Sequence, residues 1–397
     1  MRSKKKVFSE NHKLNILIVG AGMYVGGRGT NGYGTVLPAL NEMHREGIIN
    51  RIFVAATNSS SIRALKRKAK SLNIITGSQM EFEGFPKSGY DPHIYKRVVD
   101  QYNLDCAIVV VPDHLHFEIA SYLIKAGIHT LVVKPLAPTV KEVKELIRLA
   151  EEKNIYGAVE FHKRYDEANL KIKDIISKKE IGDILYINVE YSQRIVIPTK
   201  VFRSWVSNTN IFQYLGVHYV DIIYFATYAR PTRVLAIGQK RLLKKLGIDT
   251  YDSIQAIIEW TTGSNKFVST ILTNWIDPNT TSAMSDQKIK IIGTNGRIES
   301  DQKNRGIQIV REKTGIEDIN PYFTQPYPFG ERYIFKGYGI ESIKQFLKDV
   351  RNIICKKNKP SDFQENRPTF KQALASTSVI EGVNLSLKRN NGWIYLK

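Results

Sequence analysis

Along the first 155 positions, apolar residues come in short uninterrupted runs separated by stretches of helical period. Residues 14–19 (LNILIV) run into glycines, and 52–57 (IFVAAT) precede a polar, helix-compatible 60–72. Residues 105–111 (DCAIVVV) stop at Pro112, and 128–133 (IHTLVV) stop at Lys134-Pro135. Between these last two, Leu115, Ile119, Tyr122 and Leu123 recur at helical spacing over 114–126. Residues 139–153 open with Thr139 and Glu142 at the separation of a capping box, then place Val143, Leu146, Ile147 and Ala150 on one face. Strands that are apolar on both sides and alternate with helices require a parallel sheet covered on both faces. Right-handed crossovers make this a Rossmann-type doubly wound domain over residues 1–155.

Beyond residue 155 the pattern changes. A helix at about 167–179 is followed by strand candidates at 184–191, 233–239, 253–261, 267–274 and 288–293, with little helix between the later ones. Thr294-Asn295-Gly296-Arg297 carries the Asn-Gly signal of a type I′ hairpin. The expectation for residues 156–397 is an α+β domain for substrate binding and oligomerisation. Its open, largely antiparallel sheet would rest one face on helices and leave the other for substrate or a second subunit, and a helix at about 369–387 would close the chain. Residues 321–338, rich in Pro and Tyr and without period, read as a long ordered loop. The fold class is therefore α/β.

Composition narrows this picture. A chain of 397 residues exceeds what one core of ~250–300 residues accommodates, in line with two domains. Two cysteines, Cys106 and Cys355, are too few for a disulfide framework or a zinc site. No H-E-x-x-H or G-x-S-x-G motif is present, so neither a metal centre nor a nucleophilic serine is expected. No run approaches the ~18–20 apolar residues of a membrane span, and the basic start MRSKKKVFSENHK lacks the apolar core of a secretory signal. A cytoplasmic protein is expected. With 58 Lys+Arg against 38 Asp+Glu, the net charge of +20 calls for an anionic partner. Nucleic acid would satisfy it, but no recognition motif supports that partner. A cluster without acids, Arg63, Lys66, Arg67, Lys68 and Lys70, follows the second apolar run.

Candidate chemistry gathers where the strands end. The first runs into Gly20-Ala21-Gly22-Met23-Tyr24-Val25-Gly26. Glycines there permit the tight turn that brings backbone to a pyrophosphate at a helix start. The third glycine of G-x-G-x-x-G comes one residue late, and further glycines predict an extended loop before the helix at VLPAL. The second strand ends in Thr57-Asn58-Ser59-Ser60 with Arg63 nearby and no carboxylate, which suits a 2′-phosphate better than a free ribose diol. NADP is favoured over NAD. Val111, Pro112, His114, His116 and Pro135 border the same cofactor edge, the two histidines as helix caps and packing.

Residues 14–20, VPDHLH at 111–116, AGIHTLVVKPLAPTVKEVKELIRLAEEKNI at 126–155, FHKRYDE at 161–167, IGDI at 181–184, GVHYVD at 216–221 and IGTNGRIESD at 292–301 follow one another in an order that resembles the glucose-fructose oxidoreductase/inositol dehydrogenase (Gfo/Idh/MocA) family. The resemblance covers nearly the whole chain. It implies that Lys134 matches the lysine of the family's E-K-P motif, beside the nicotinamide, with Val133 where the glutamate stands. It places Tyr214 and His218 on an aspartate-x3-histidine pair, keeping the histidine and replacing the aspartate. His162 falls where Asn or Gln is common, and Arg164 on the family's arginine.

These residues suit hydride transfer, which needs a base for the hydroxyl proton and positive charge at the developing alkoxide. His218 is the proposed acid/base, Lys134 the cation and Tyr214 a relay or orienting group. His162, Arg164 and Asp221 are candidates for substrate contact, as are Asn274, Trp275 and Asp277 at a strand end and Tyr322, Tyr327 and Arg332 in the long loop. The expected activity is an NAD(P)-dependent oxidoreductase acting on a sugar, cyclitol or nucleotide-sugar, assembled as a homodimer or homotetramer. A non-catalytic sensor or an NAD-dependent glycosidase of the same family remain as alternatives.

Overall fold

The computed structural model describes residues 12–396, so the basic residues at positions 2–6 lie outside the description. The apolar runs become strands β1 (Leu14–Val19), β2 (Ile49–Ala55), β4 (Cys106–Val109) and β5 (His129–Val133), joined by the shorter β3 (Glu83–Phe85) and β6 (Gly157–Glu160). They pair in parallel in the order β3-β2-β1-β4-β5-β6, the doubly wound arrangement expected. Side chains alternate across this sheet. Leu14, Ile16 and Ile18 enter one core, with α2 (Val36–Arg45) and α3 (Ser59–Thr76). Leu17 and Val19 enter the other, with α4 (Ile94–Gln101), α5 (His116–Lys125) and α6 (Val140–Glu152). The α6 capping box forms as read, Thr139 with Glu142.

The parallel sheet does not stop at the expected junction near residue 155. β6 pairs with β5 from Gly157 to Glu160, and its outer edge is covered by a late segment: Val159 N donates to Pro368 O at 2.7 Å and Phe370 N to Gly157 O at 3.1 Å. A Cβ on Gly157 would lie 2.5 Å from the Phe370 ring, so glycine permits the approach. The first core also takes a helix from far along the chain, α10 (Tyr338–Ile354), through Ile340, Ile343, Phe346, Leu347 and Val350.

The second sheet holds β7 (Ile184–Arg194), β8 (Arg230–Gln239), β9 (Ser253–Thr262), β10 (Asn265–Asp277), β11 (Ser285–Gly293) and β12 (Gly296–Asp301), with a short closing strand at Ile394–Tyr395. Its order is β12-β11-β7-β10-β9-β8 and then the closing strand, antiparallel throughout except for the central β7–β10 pair. One face packs on α8 (Val217–Thr227) and α11 (Ala373–Lys388); along β9, Ile254, Ala256, Ile258 and Trp260 point inward and Gln255 and Ile257 outward.

Two expectations are corrected here. The β11–β12 hairpin forms, but Gly293 pairs with Gly296 around Thr294-Asn295, and none of the four has positive φ, so the turn is not type I′. The cause is tertiary: Thr294 N and Asn295 N donate to Asp183 O and Ile181 O, each at 2.9 Å. Residues 321–338 are not a loop. They contain the hairpin β15 (Gln325–Phe329) and β16 (Arg332–Lys336), which follows another hairpin, β13 (Ile307–Arg311) and β14 (Gly315–Ile319). Pro326 and Pro328 are two apart, so both missing amides fall on the unpaired edge of β15.

Between the sheets, a single turn at His162–Tyr165 leaves β6. Arg164 makes a two-pronged ion pair with Asp221 of α8, Nε to Oδ2 at 2.9 Å and Nη2 to Oδ1 at 2.6 Å, and also donates to Gln372. Both charges are buried. Asp221→Leu would therefore strand a buried guanidinium and lower the unfolding free energy by roughly 3–5 kcal/mol in urea titration, with Arg164→Leu added to it recovering most of the loss. Thr139→Ala, which removes only a cap, is expected to cost about 1 kcal/mol in the same titration.

Candidate active site

The turn after β1 is built for close backbone approach. Gly20 has φ +119°, and a Cβ there would stand 2.0 Å from Val110 O just past β4, so no L side chain fits. A Cβ on Gly22 would meet nothing within 4 Å, which leaves the backbone open on that side before the single helical turn α1 (Met23–Gly26). Gly26 is closed in, its Cβ position 2.1 Å from Leu65 Cδ1 of α3. It does the close-packing work of the third glycine one residue late. The extension read from the sequence is present: residues 27–34 loop outward, Lys68 Nζ donates to Thr30 O at 3.0 Å and Gly32 O at 2.7 Å, and α2 begins only at Val36. An open amide face beside obligatory glycine fits the pyrophosphate of a dinucleotide.

At the end of β2, Asn58 caps α3 by accepting from Ser61 N at 2.9 Å and Ser60 Oγ at 2.6 Å. Arg63 Nη1 donates to Ser59 Oγ and Arg28 Nη1 to Ser61 Oγ, each at 3.1 Å. Two guanidiniums thus flank a strand end without a carboxylate. Arg28 was not anticipated, because it comes from the glycine loop and no local spacing reveals its approach to α3.

The ends of β4 and β5 are tied together by His116. Its buried ring has Nδ1 2.7 Å from Pro135 O and Nε2 2.9 Å from Val111 O, which makes it a brace; His114 is exposed. Lys134, 8% exposed, donates through Nζ to Tyr214 O and sits 3.8 Å from the centroid of the Tyr214 ring. Burial pushes its pKa down to about 7, against the pull of Asp113 and Glu160. Tyr214 therefore serves Lys134 with a carbonyl and a ring face, while burial raises its phenol pKa and keeps it protonated. Asp113, also buried, accepts from Thr209 Oγ1 at 2.7 Å and Gln213 Nε2 at 2.6 Å, and its Oδ1 has no hydrogen bond among the described residues, with His114 Nδ1 4.0 Å away.

Two imidazoles complete the cluster. His218, 4% exposed, has its pKa pushed well below the ordinary value, first by burial and then by Lys134, His162 and Lys163. It is neutral at pH 7. The His162 ring centroid lies 4.9 Å from that of His218, and His162 Nδ1 is 2.9 Å from Glu160 Oε2. Lys163, buried beside them, donates to Gln302 Oε1 at 2.6 Å and to Gln287, and burial brings its pKa down to about 7.

Lys134, Tyr214, His218 and His162 are thus brought together, and Asp113, Glu160 and Lys163 join them unforeseen. Asp113 stands in the VPDHLH segment itself, whereas Glu160 and Lys163 follow a strand too short to show as an apolar run. Arg164 and Asp221, expected at the substrate, spend their charges on one another. Trp275 is buried against the Tyr214 ring at 5.7 Å, Asn274 Oδ1 accepts from Ile276 N, and Asp277 is held by Ser192. Tyr327 donates to Pro321 O at 2.6 Å, Tyr322 lies exposed beneath Arg305, and Arg332 rests on Gly77 at the far end of α3. Among the described residues no cluster of His, Cys, Asp or Glu is placed to hold a metal, and no helix is long and apolar enough to cross a membrane.

The family model described as an oxidoreductase family with an NAD-binding Rossmann fold matches residues 14–161, and that of the GFO/IDH/MocA C-terminal domain matches 169–299. An uncharacterized oxidoreductase of Schizosaccharomyces pombe is 24% identical over 238 residues, 56% of this chain and 61% of that protein. The scyllo-inositol 2-dehydrogenase (NADP(+)) of Bacillus subtilis is 29% identical over 130 residues, 32% of this chain and 36% of that one. The chain thus matches only 36% to 61% of the length of these two relatives. The crystal structure of scyllo-inositol dehydrogenase from Lactobacillus casei, with bound NAD(H) and scyllo-inositol, shares the fold at a TM-score of 0.68 and 16% identity, covering 97% of this chain and 99% of its own. Glycine turn, strand-end lysine and both matched halves agree: the chain belongs to the Gfo/Idh/MocA oxidoreductase family.

Proposed function

We propose that the protein is an NAD(P)-dependent oxidoreductase acting on a hydroxyl or keto carbon of a sugar or cyclitol. The observation that carries this reading is the buried Lys134 beside neutral His218 at the carboxyl end of the parallel sheet, where open α/β sheets take their ligands. The B. subtilis relative is named for scyllo-inositol, and the L. casei structure contains it, which supports a polyhydroxylated ring as substrate. A nucleotide-linked sugar is the narrower form that the excess of positive charge favours.

When bound, a nicotinamide dinucleotide accepts or donates the hydride. Gly20, Gly22, Met23, Tyr24 and Gly26 would hold its pyrophosphate, and Asn58, Ser59, Ser60 and Arg63, with Arg28, its adenosine ribose. The two guanidiniums and the missing carboxylate favour NADP. Val111, Pro112, His114 and Pro135 would border it along the strand ends. Lys134 puts positive charge on the substrate oxygen as it becomes an alkoxide, and low surrounding polarity strengthens that effect. His218, neutral and with Nδ1 unbonded among the described residues, takes the hydroxyl proton in oxidation and returns it in reduction. Tyr214 holds the Lys134 ammonium in place. In this reading the first unit binds cofactor, the second binds substrate, and the exposed sheet face with Tyr186, Ile257 and Leu272 meets a second subunit in the cytoplasm.

Absorbance at 340 nm, with NADP or NAD and a panel of cyclitols and sugars, tests the reading. Turnover is expected with at least one polyol, faster with NADP; tight cofactor binding without turnover on any of them would favour a sensor. Lys134→Met should cut kcat by about 10²–10³-fold. The same variant should be more stable than the parent at pH 7. Because folding lowers the Lys134 pKa from 10.5 to about 7, the unfolded chain binds more protons between those values. Parent stability therefore rises with pH across that window, and the cost of burying the lysine is full below it. The gain in Tm should be largest near pH 7 and close toward pH 10.5.

A further inference from the structure

The two imidazoles of the site are unequally supported. His218 has Tyr214 where the family resemblance sets an aspartate, and its Nδ1 is buried with no partner among the described residues. Among the described residues, the charged groups that act on it are cations, Lys134 just past the end of β5 and Lys163 from the turn after β6, and the His162 and Tyr191 ring centroids lie 4.9 Å and 6.2 Å away. A proton placed on His218 finds no counter-charge.

His162 has one. Glu160, 1% exposed, takes its Nδ1 at 2.9 Å, and the other carboxylate oxygen accepts from Ser342 Oγ of α10 at 2.7 Å. Tyr24 OH of α1 stands 3.3 Å from the same nitrogen, and the His162 ring is stacked on Tyr338 at 5.7 Å and packed on Phe323 at 5.2 Å. Of the other nearby charges, Arg164 pairs with Asp221 and Lys163 is bound by Gln287 and Gln302, while Lys134 also faces the Glu160 carboxylate. With Nδ1 donating to Glu160, Nε2 carries the lone pair and makes no hydrogen bond among the described residues, and ring centroids 4.9 Å apart put the two imidazoles within reach of transfer directly or through one water.

We propose that Glu160 and His162 form the end of a proton relay, in which the substrate hydroxyl proton passes to His218 and then to His162, held there by the buried Glu160 carboxylate; this presupposes the oxidoreductase reading above. In oxidation, the carbinol C–H bond gives its hydride to the cofactor and the O–H bond gives its proton to His218 as the carbonyl forms. That proton then moves to His162 Nε2, His218 becomes neutral again, and the imidazolium–carboxylate pair holds the proton until release. Reduction runs the same steps backward. His162 and His218 carry the proton, whereas Glu160 is a positioning residue that acts through Nδ1, as a carboxylate orients and charges an imidazole elsewhere in enzyme chemistry. The carboxylate absent at Tyr214 is thus supplied from the cofactor half of the molecule.

Glu160→Gln keeps the shape and removes the charge. Oxidation kinetics should show kcat falling about tenfold or more, KM changing less than about threefold, and the acidic limb of the profile moving to lower pH, with Glu160→Asp recovering part of kcat. A parental kcat with an unchanged acidic limb in Glu160→Gln would overturn the relay. If Glu160→Gln does not fold, His162→Gln decides: loss of kcat at retained KM supports the relay, and parental kcat overturns it. Absence of turnover by the parent enzyme on every polyol would overturn the oxidoreductase reading, and the relay with it.

Discussion

Charged side chains held away from water set the geometry of this molecule. Glu160, His162, Lys163 and Arg164 leave the parallel sheet within one turn, and all four are buried. A buried charge without a partner costs several kcal/mol, so each side chain must reach a different wall: Glu160 to Ser342 on α10, Lys163 to Gln302 beyond β12, and Arg164 to Asp221 on α8. The last two tie the second sheet to the first, and the Glu160 contact ties α10 to the end of β6. The packing of apolar faces alone would leave that relation far looser, since apolar contact has no direction.

Burial first, and the neighbouring cations after it, explain the low proton affinity of the site. Lys134, Lys163 and His218 lie close together; Asp113 and Glu160 oppose the shift at Lys134, and Asp166 opposes it at Lys163. A cluster so composed is unfavourable for folding, which is how functional sites commonly depart from the rules that the rest of a chain obeys. Tyr214 moderates the cost for Lys134, with a carbonyl for its proton and a ring face for its charge, and Phe202 and Trp275 hold that ring in position.

Legibility in the sequence followed the range of the interactions. The capping box of Thr139 and Glu142 lies within four residues and was readable; so were β1, β2, β4 and β5, whose apolar runs are uninterrupted. β3 and β6, of three and four residues, fall below any periodic signal, and with β6 went Glu160. The hairpin at Thr294-Asn295 was visible but its turn type was not, because Ile181 and Asp183 claim its amides. The hairpin of Tyr327 and Phe335 hid behind its prolines, since only pairing shows which edge they occupy. Lys134 and His218 were legible from motif and resemblance. The fate of Arg164 was not, because its partner is 57 residues away.

Helix α10 gives the chain a history as well as a shape. The six parallel strands and their own crossover helices are complete by residue 160, yet the apolar surface that Phe346 and Leu347 cover has no owner until residue 354 is available. On a ribosome, the cofactor half would emerge with one flank bare for nearly two hundred residues of further synthesis, a surface on which nascent chains aggregate or recruit chaperones. The two halves are therefore one folding unit written in two pieces. Exchange of the first half between relatives would have to carry α10 along with it.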